Sequence, residues 1–210
     1  MARITGKILS FSPSLGNICR IMTRNMMMLI NTSDFWDQQI CLNEKVNLEL
    51  KFWLNNCDSI PNKAFFTKQF LPDKIVYTDA SGFACAGFTV QSNRHVVHKM
   101  WTPDEAKQSS TYRELKAVLI TLMSLCEDFS HRLIKNYTDN QNVIRIVDAG
   151  SMKPDLQEIS LKIFNFCIKH GISLEVEWVP RELNQTADYY GKLFDYNDWK
   201  VSDLHFHFFY

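Results

Sequence analysis

The tripeptide Tyr-Thr-Asp occurs twice in this chain, at residues 77–79 and 137–139. Each copy ends a run of β-branched and apolar residues and is followed by small or polar residues, a pattern that predicts a strand stopping at the aspartate. Asp79 and Asp139 are therefore expected at the carboxyl ends of two strands, the edge where open α/β sheets bind ligands. A single aspartate there is an ordinary strand terminator, but the repeat of the whole tripeptide favours a shared site.

The segments around these strands predict an α/β fold. The strands are expected at 74–79, 86–90, 95–101, 133–139 and 174–179. The helices between and after them are expected at 111–126, 142–148, 155–170 and from Asn184 to about 194. The first three strands form an antiparallel meander with a hairpin turn at 91–94, and the last two each follow a helix, so they can pair in parallel by crossovers. The prediction is a mixed five-stranded sheet flanked by helices, with a small amino-terminal helical segment.

The predicted core positions follow the period of each element. In the helix at 111–126 they are Leu115, Leu119, Leu122, Met123 and Cys126. In the last strand they are Leu174, Val176 and Trp178, which alternate along the chain.

The first 56 residues have a helical period. Ser12 and Pro13 predict a helix start, and apolar residues then recur at three- and four-residue steps: Leu15, Ile18, Cys19, Met22, Met26, Leu29 and Ile30. A second helix is expected at 43–54, with Val46, Leu50 and Trp53 inward, before a linker at 58–62. The predicted organisation is a helical segment at 1–62, an α/β domain at 70–198 and a tail at 199–210.

The charge balance argues against tight, independent binding of nucleic acid. Lysine plus arginine equals aspartate plus glutamate at 23 each, and the pI is about 7.0, whereas nucleic-acid binders are strongly basic. Residues 1–33 carry four basic side chains and no acidic one, so this segment either lies against phosphates or is a solvated helix face. Arg20 and Arg24 interrupt its most apolar stretch, so we expect neither a signal peptide nor a membrane span.

The six cysteines are scattered without a C-x-x-C pair, so neither a structural zinc site nor a disulfide framework is predicted. A reducing intracellular compartment, cytoplasmic or nuclear, is the simplest expectation. His205 and His207 in the tail are interpreted as a coincidence of an extended segment rather than as metal ligands.

Two further acids occupy positions that suit the first pair. Glu114 falls in the first turn of the helix after the meander, and Asp188 in the first turn of the last helix. Each also has a structural interpretation, since Thr111 and Glu114 fit a capping box and an acid near a helix start is favoured by the dipole. Together with Asp79 and Asp139, however, they give four acids that can converge on one sheet edge.

Four converging carboxylates repel one another unless cations neutralise them. Mg²⁺ is suited to this, because it takes carboxylate oxygens and completes its shell with water and phosphate oxygens. Two such ions, about 3.5–4 Å apart, can activate a water and stabilise the leaving oxygen of a phosphodiester. The sequence therefore predicts metal-dependent phosphodiester hydrolysis without a nucleophilic side chain.

Four segments, one around each acid, resemble the catalytic motifs of the ribonuclease H domain of retroelement reverse transcriptases. They are residues 75–81, 110–115, 137–141 and 184–188. Three amino-terminal segments are similar to the connection that precedes this domain in DIRS-type (tyrosine-recombinase) retrotransposons. They are residues 4–8, 36–37 and 49–53.

The resemblance implies a function and a set of site residues. The acids matching the family's motifs, Asp79, Glu114, Asp139 and Asp188, would bind two Mg²⁺, with Mn²⁺ as a possible substitute, and cut the RNA strand of an RNA–DNA hybrid. Contacts to the hybrid's minor groove, where the 2′-hydroxyl distinguishes RNA from DNA, are implied for the main chain near Ser81 and Gly82 and for the side chains of Asn140 and Gln141. A reverse transcriptase polymerase domain, on the same polyprotein or separate, is the implied protein partner.

The chain departs from the family in two places. Cellular and retroviral members carry a histidine in the loop before the last aspartate, and residues 181–186 contain none, which puts in doubt the aid to product release attributed to that histidine. Some cellular members also have a basic handle, for which the segment at 151–155 is too short.

Two other interpretations of the sequence compete with a ribonuclease, and each predicts a different arrangement of acids. Integrase-type transposases share the fold class, but their acids run Asp, Asp and a late Glu, whereas Glu114 here precedes the second aspartate strand. The alternative from another functional class is a non-catalytic or domesticated nucleic-acid-binding remnant of a reverse transcriptase polyprotein, which the presence of all four acids disfavours.

Overall fold

The centre of the molecule is a mixed sheet of five strands in the order β3-β2-β1-β4-β5. The computed structural model describes residues 1–35, 38–60, 71–90 and 96–193. The strands are β1 (Lys74–Ala80), β2 (Ala84–Thr89), β3 (Val96–Met100), β4 (Leu133–Thr138) and β5 (Ser173–Trp178). The predicted fold class is confirmed, and the hairpin turn predicted at 91–94 lies outside the described residues.

The pairing of the strands brings the repeated tripeptides together. β1 pairs with β2 and β2 with β3 in antiparallel register, whereas β1–β4 and β4–β5 are parallel. In the β1–β4 ladder Tyr77 lies opposite Tyr137, so the two copies of the repeat are in register. Asp79 and Asp139 therefore emerge at the same edge of the sheet, as the sequence predicts.

Helices surround the sheet and precede it. The amino-terminal helices are α1 (Ala2–Ser10), α2 (Ser12–Leu15), α3 (Ile18–Ile21), α4 (Arg24–Ile30) and α5 (Glu44–Asn56). Those of the α/β domain are α6 (Pro103–Ala106), α7 (Ser110–Ser124), α8 (Cys126–Phe129), α9 (Gln141–Ala149), α10 (Pro154–His170) and α11 (Gln185–Lys192). The main core lies between the sheet and helices α7, α9 and α10, and includes Val76, Leu115, Ile134, Val143 and Ile163.

Two of the predicted inward positions are wrong. Leu115, Leu119 and Leu122 are buried, but Met123 is 56% exposed, because α7 ends at Ser124 and the chain turns into α8. Trp178, at the end of β5, is 44% exposed, since its indole nitrogen reaches across to the loop after β4 instead of entering the core.

The amino-terminal segment is helical but more broken than its periodicity predicts. Residues 2–30 form four short helices. Gly16, with a φ of 77°, adopts a conformation that L side chains rarely tolerate, and it ends α2. Thr23 makes a second break, where its hydroxyl donates to Cys19 O at 2.6 Å. The second predicted helix is confirmed as α5, capped by the Asn43 side chain, which accepts from Val46 N.

This segment packs on the face of the α/β domain formed by α9 and α10. The Gln157 amide donates to Ile21 O at 2.9 Å, and Arg24 Nε donates to Ala149 O at 2.6 Å. The first of these bonds is buried and the second is partly buried, so both hold the segment against the domain. The division of the chain at 62 and 70 stays a prediction, as does the tail at 199–210, because residues 61–70 and 194–210 lie outside the described part. Within that part, no helix is long and apolar enough to cross a membrane.

Candidate metal centre

Three carboxylates meet at the edge where β1 and β4 end. Asp79 is the next-to-last residue of β1, Asp139 directly follows β4, and Glu114 lies one turn into α7, which packs on β1 and β2. One oxygen of each lies within 4.8 Å of one oxygen of both others. We call these three residues the carboxylate cluster.

Glu114 is not part of a helix cap. The residue that caps α7 is Ser109, whose hydroxyl accepts from Tyr112 N at 3.2 Å, so the capping box of Thr111 and Glu114 is wrong. Glu114 is instead 7% exposed, and its Oε2 has no hydrogen-bond partner among the described residues. A buried carboxylate oxygen without a donor is costly, which is typical of a group whose partner is a ligand.

Burial and mutual repulsion make the cluster reluctant to ionise. The pKa of Asp79 rises from 3.8 to about 6, first because it is buried and then because of the charges of Asp139 and Asp188. The pKa of Glu114 is raised well above its usual value by burial and by the charges of Asp79 and Asp139. A cation would therefore bind to groups that repel one another without it.

Asp188 lies beside the cluster but is held by basic side chains. It stands in the first turn of α11, where its Oδ1 accepts from Arg181 at 3.0 Å and its Oδ2 from Lys192 at 2.6 Å. Burial opposes ionisation of Asp188, but these two hydrogen bonds outweigh it and lower its pKa. The structure thus brings three of the four predicted acids together and places the fourth close enough for its charge to raise the pKa of Asp79.

The donor set fits a hard divalent cation. It consists of carboxylate oxygens alone, which is the ligand chemistry of Mg²⁺ and Mn²⁺ rather than of Zn²⁺ in a structural site. Within the described ranges it is also the only group of three such side chains whose ligand atoms converge. Among the described residues, the buried Oε2 of Glu114 has no hydrogen-bond partner and is free to coordinate such a cation.

The residues implied for substrate contact lie in the loops after β1 and β4. The Ser81 hydroxyl accepts from Phe83 N and Ala84 N, which shapes the turn, and Gly82 is exposed with no atom within 4 Å of where its Cβ would be. Asn140 caps α9 through its side-chain oxygen, which accepts from Asn142 N at 3.0 Å. Gln141 is exposed at the start of the same helix.

Two tryptophans fix these loops, and the sequence did not point to either. Trp101 Nε1 donates to Ser81 O at 3.1 Å, and Trp178 Nε1 donates to Asp139 O at 3.1 Å. Each indole therefore anchors the main chain directly beside a residue of the site. The alternation of β5 predicts Trp178 inward, and only the position of the β4 loop shows why it turns outward.

Asn184 and Gly191 are a second pair whose role the sequence does not reveal. Asn184 is predicted as the cap of the last helix, but its amide donates to Thr78 O at 3.1 Å and makes no side-chain cap bond. A Cβ on Gly191 would lie 3.2 Å from Asp79 Oδ2. Both contacts join α11 to the strand that carries Asp79.

Several solved structures are similar to this chain. LC11-RNase H1 in complex with an RNA/DNA hybrid is 19% identical, with 56% of this chain and 93% of that chain covered and a TM-score of 0.49. RNase H1 from Halobacterium salinarum NRC-1 is 18% identical over 56% of this chain and 92% of that one, with a TM-score of 0.46. The foamy viral protease-reverse transcriptase in complex with RNA/DNA hybrid is 11% identical over 96% of this chain and 26% of that one, with a TM-score of 0.36.

No curated protein is significantly similar in sequence to this chain. Residues 77–193 match the family model described as reverse transcriptase-like. This match contains all three residues of the carboxylate cluster, Asp188 and the loops around them, and it spans more than half of the 210 residues. The chain therefore belongs to the reverse transcriptase-like family.

Proposed function

We propose that this protein is a ribonuclease that cuts the RNA strand of RNA–DNA hybrids endonucleolytically with the help of divalent cations. The observation that carries the proposal is the convergence of Asp79, Glu114 and Asp139 within 4.8 Å at the end of the parallel strands. Two of these acids are buried, and buried carboxylates that repel one another are stabilised when they take up protons or cations.

Asp79, Glu114 and Asp139, with Asp188 as a fourth ligand, would hold two Mg²⁺ ions, and Mn²⁺ is the expected substitute. When bound, such ions supply an activated water and stabilise the leaving oxygen of the phosphodiester. The protein's own contribution is to keep the acceptor oxygens close together in a partly dry site. Glu114 has an oxygen left free for this, and Asp79 is itself 5% exposed within β1.

Asp188 joins the cluster by giving up exposed ion pairs. The side chains of Arg181 and Lys192 are 67% and 54% exposed, and ion pairs of this kind contribute only about 0–1 kcal/mol each. Exchanging them for a divalent cation therefore costs little. Arg181 lies in the loop that lacks the family's histidine, so it is the basic group that this chain offers at that place.

The hybrid would lie across the loops after β1 and β4. Gly82 and Gln141 are exposed there, and Ser81 and Asn140 are partly exposed, which suits contacts in the minor groove of the hybrid. Selection for RNA would come from hydrogen bonds to the 2′-hydroxyl, which DNA lacks.

The origin proposed for the chain is a retroelement reverse transcriptase, of the DIRS type indicated by the segments at 4–8, 36–37 and 49–53. The chain covers 26% of the foamy viral protease-reverse transcriptase to which it is similar. A polymerase domain, joined or separate, would hold the hybrid at high effective concentration. The amino-terminal segment, with α5, would lie between that domain and the nuclease.

A cleavage assay tests the proposal directly. The whole chain is incubated with a hybrid labelled on the RNA strand, with Mg²⁺, with Mn²⁺ and with EDTA, beside matched double-stranded RNA, double-stranded DNA and a hybrid labelled on the DNA strand. We expect internal cuts in the RNA strand of the hybrid only, and only with a divalent cation. Equal cutting of the DNA strand, or cutting in EDTA, would contradict the assignment.

A further inference from the structure

The last helix, α11, is attached to β1 on both sides of Asp79. We propose that Asn184 and Gly191 are positioning residues, which fix α11 so that Asp188 stands at the carboxylate cluster and Asp79 keeps its place within it. This inference rests on the proposed function, since it assigns these residues to the metal site of that function.

The first attachment is a hydrogen bond at the end of a strand ladder. The parallel pairing of β1 and β4 runs from Lys74 opposite Ile134 to Tyr77 opposite Tyr137. The next carbonyl along β1, Thr78 O, accepts from Asn184 Nδ2 at 3.1 Å, a contact between residues 106 apart in sequence. Thr78 directly precedes Asp79, so this bond fixes the start of α11 to the main chain that carries the central carboxylate.

An ordinary capping role does not explain Asn184. The residue is 1% exposed, it makes no side-chain cap bond to α11, and its Oδ1 has no partner within the described part of the chain. An unpaired buried oxygen destabilises the fold, and an apolar residue of similar shape would avoid that cost. What asparagine supplies is therefore the amide donor to Thr78 O.

The second attachment is the close approach of Gly191 to Asp79. A Cβ at position 191 would lie 3.2 Å from Asp79 Oδ2, 3.7 Å from Asp79 O and 3.9 Å from Ala86 N. The first of these distances is tighter than an ordinary van der Waals contact, so a methyl group at this position would require the Asp79 carboxylate to shift by a few tenths of an ångström. Such a shift would alter the place of Asp79 within the cluster.

The two attachments bracket Asp188 on one short helix. Asn184 precedes α11, Gly191 is near its end, and Asp188 lies between them. Because a helix is stiff over so few residues, fixing both ends fixes the Cα of Asp188 relative to Asp79. The side chain of Asp188 can then exchange Arg181 and Lys192 for a cation without movement of the helix.

The test compares Asn184→Ala and Gly191→Ala with matched controls in the whole chain. Asn43→Ala removes a true asparagine cap, of α5, and Gly6→Ala adds a methyl group in α1 where no atom lies within 4 Å. Three quantities are measured for each: Mn²⁺ affinity from the paramagnetic resonance of free Mn²⁺, kcat and KM on the RNA–DNA hybrid, and urea unfolding without metal. Gly191→Ala places a better helix former in α11, so a loss of metal affinity in that variant does not arise from a weaker helix.

Both site variants are expected to bind Mn²⁺ roughly tenfold or more weakly, as for other residues that orient metal ligands. Their kcat should fall while KM for the hybrid stays near the wild-type value, and both controls should remain within about twofold. If the wild type binds Mn²⁺ and cuts the hybrid while both variants bind Mn²⁺ equally well, the positioning role is wrong and the proposed function stands. If the wild type neither binds Mn²⁺ nor cuts, both are wrong.

Discussion

Two buried glutamates, Glu49 and Glu114, differ in what surrounds them. Glu49 is 1% exposed and Glu114 is 7% exposed, and burial raises the pKa of each carboxyl. Glu49 Oε1 accepts from Asn25 N and Asn25 Nδ2, and its Oε2 accepts from Met26 N, all at 2.8–2.9 Å. Glu114 has an oxygen with no partner in the described residues, and Asp79 and Asp139 are its neighbours.

The difference separates a structural acid from an acid prepared for a ligand. Glu49 receives its donors from the start of α4, so its burial fastens α5 to α4 within the amino-terminal segment. The pKa of Glu114 is raised by burial and by the charges of Asp79 and Asp139, which outweigh the main chain of Ala80 and the charge of Arg113. Both oxygens of Glu49 accept hydrogen bonds from the protein, whereas one oxygen of Glu114 accepts none from the described residues. This is the pattern expected when a cation binds to Glu114.

Cleavage should show the largest contrast between these two regions. Asp79→Asn or Asp139→Asn should lower the rate on an RNA–DNA hybrid roughly a thousandfold or more, because a ligand oxygen with its charge is lost. Glu49→Gln, the matched change from carboxylate to amide, should leave the rate of the folded protein within about threefold, since Glu49 does not touch the site. Rates are measured with saturating Mg²⁺ on a labelled hybrid. Full activity in Asp79→Asn would disprove the mechanism.

Asp79 should make stability fall as the pH rises. An acid whose folded pKa lies above its unfolded value binds its proton more tightly in the folded state, so stability falls as pH rises between the two values. For Asp79 these are about 6 and 3.8, which corresponds to a loss of about 3 kcal/mol, complete above pH 6. In EDTA, Asp79→Asn should therefore be more stable than the wild type at pH 8 and equal to it at pH 4. The pKa shift would be contradicted if the free energies of urea unfolding of the wild type and of Asp79→Asn differed by the same amount at pH 4 and at pH 8.

Removing the charge of Glu49 should lower the free energy of unfolding at pH 8, whereas removing the charge of Asp79 should raise it. Glu49→Gln leaves an amide facing N–H donors that the carboxylate satisfied, so we expect a loss of about 2 kcal/mol in the free energy of unfolding at pH 8. The comparison is with Asp79→Asn in the same buffer without metal. If Glu49→Gln and Asp79→Asn both stabilise the protein, then Glu49 is not a structural acid of the kind proposed.

Divalent cations should stabilise the folded protein only by binding to the carboxylate cluster. At a Mg²⁺ concentration ten times the dissociation constant, binding to the folded state alone adds about 1.4 kcal/mol. Glu114→Gln should lose this gain and Glu49→Gln should keep it. Thermal unfolding with and without Mg²⁺ measures the effect, and Ca²⁺ serves as a second cation of the same charge. A gain that persists in Glu114→Gln would place the binding elsewhere.

The main strands and helices, and the positions of two of the acids, follow from local sequence patterns. Local patterns of apolar and turn residues predict the strands near Asp79 and Asp139 and the helices at 43–54 and 155–170, and each is found within two residues of its predicted bounds. The repeat of Tyr-Thr-Asp also predicts that the two strands end together, because parallel neighbours in register share an edge.

The roles of the other acids and of their neighbours depend on contacts between residues that are distant in the sequence. Thr111 and Glu114 have the spacing of a capping box, and the choice of Ser109 as the cap, with Glu114 buried, depends on how α7 packs against β1 and β2. The partners of Asn184 and Trp178 are 106 and 39 residues away in sequence, beyond any local pattern. Hydrogen bonds and burial at such separations depend on three-dimensional packing, which a residue's local sequence does not specify.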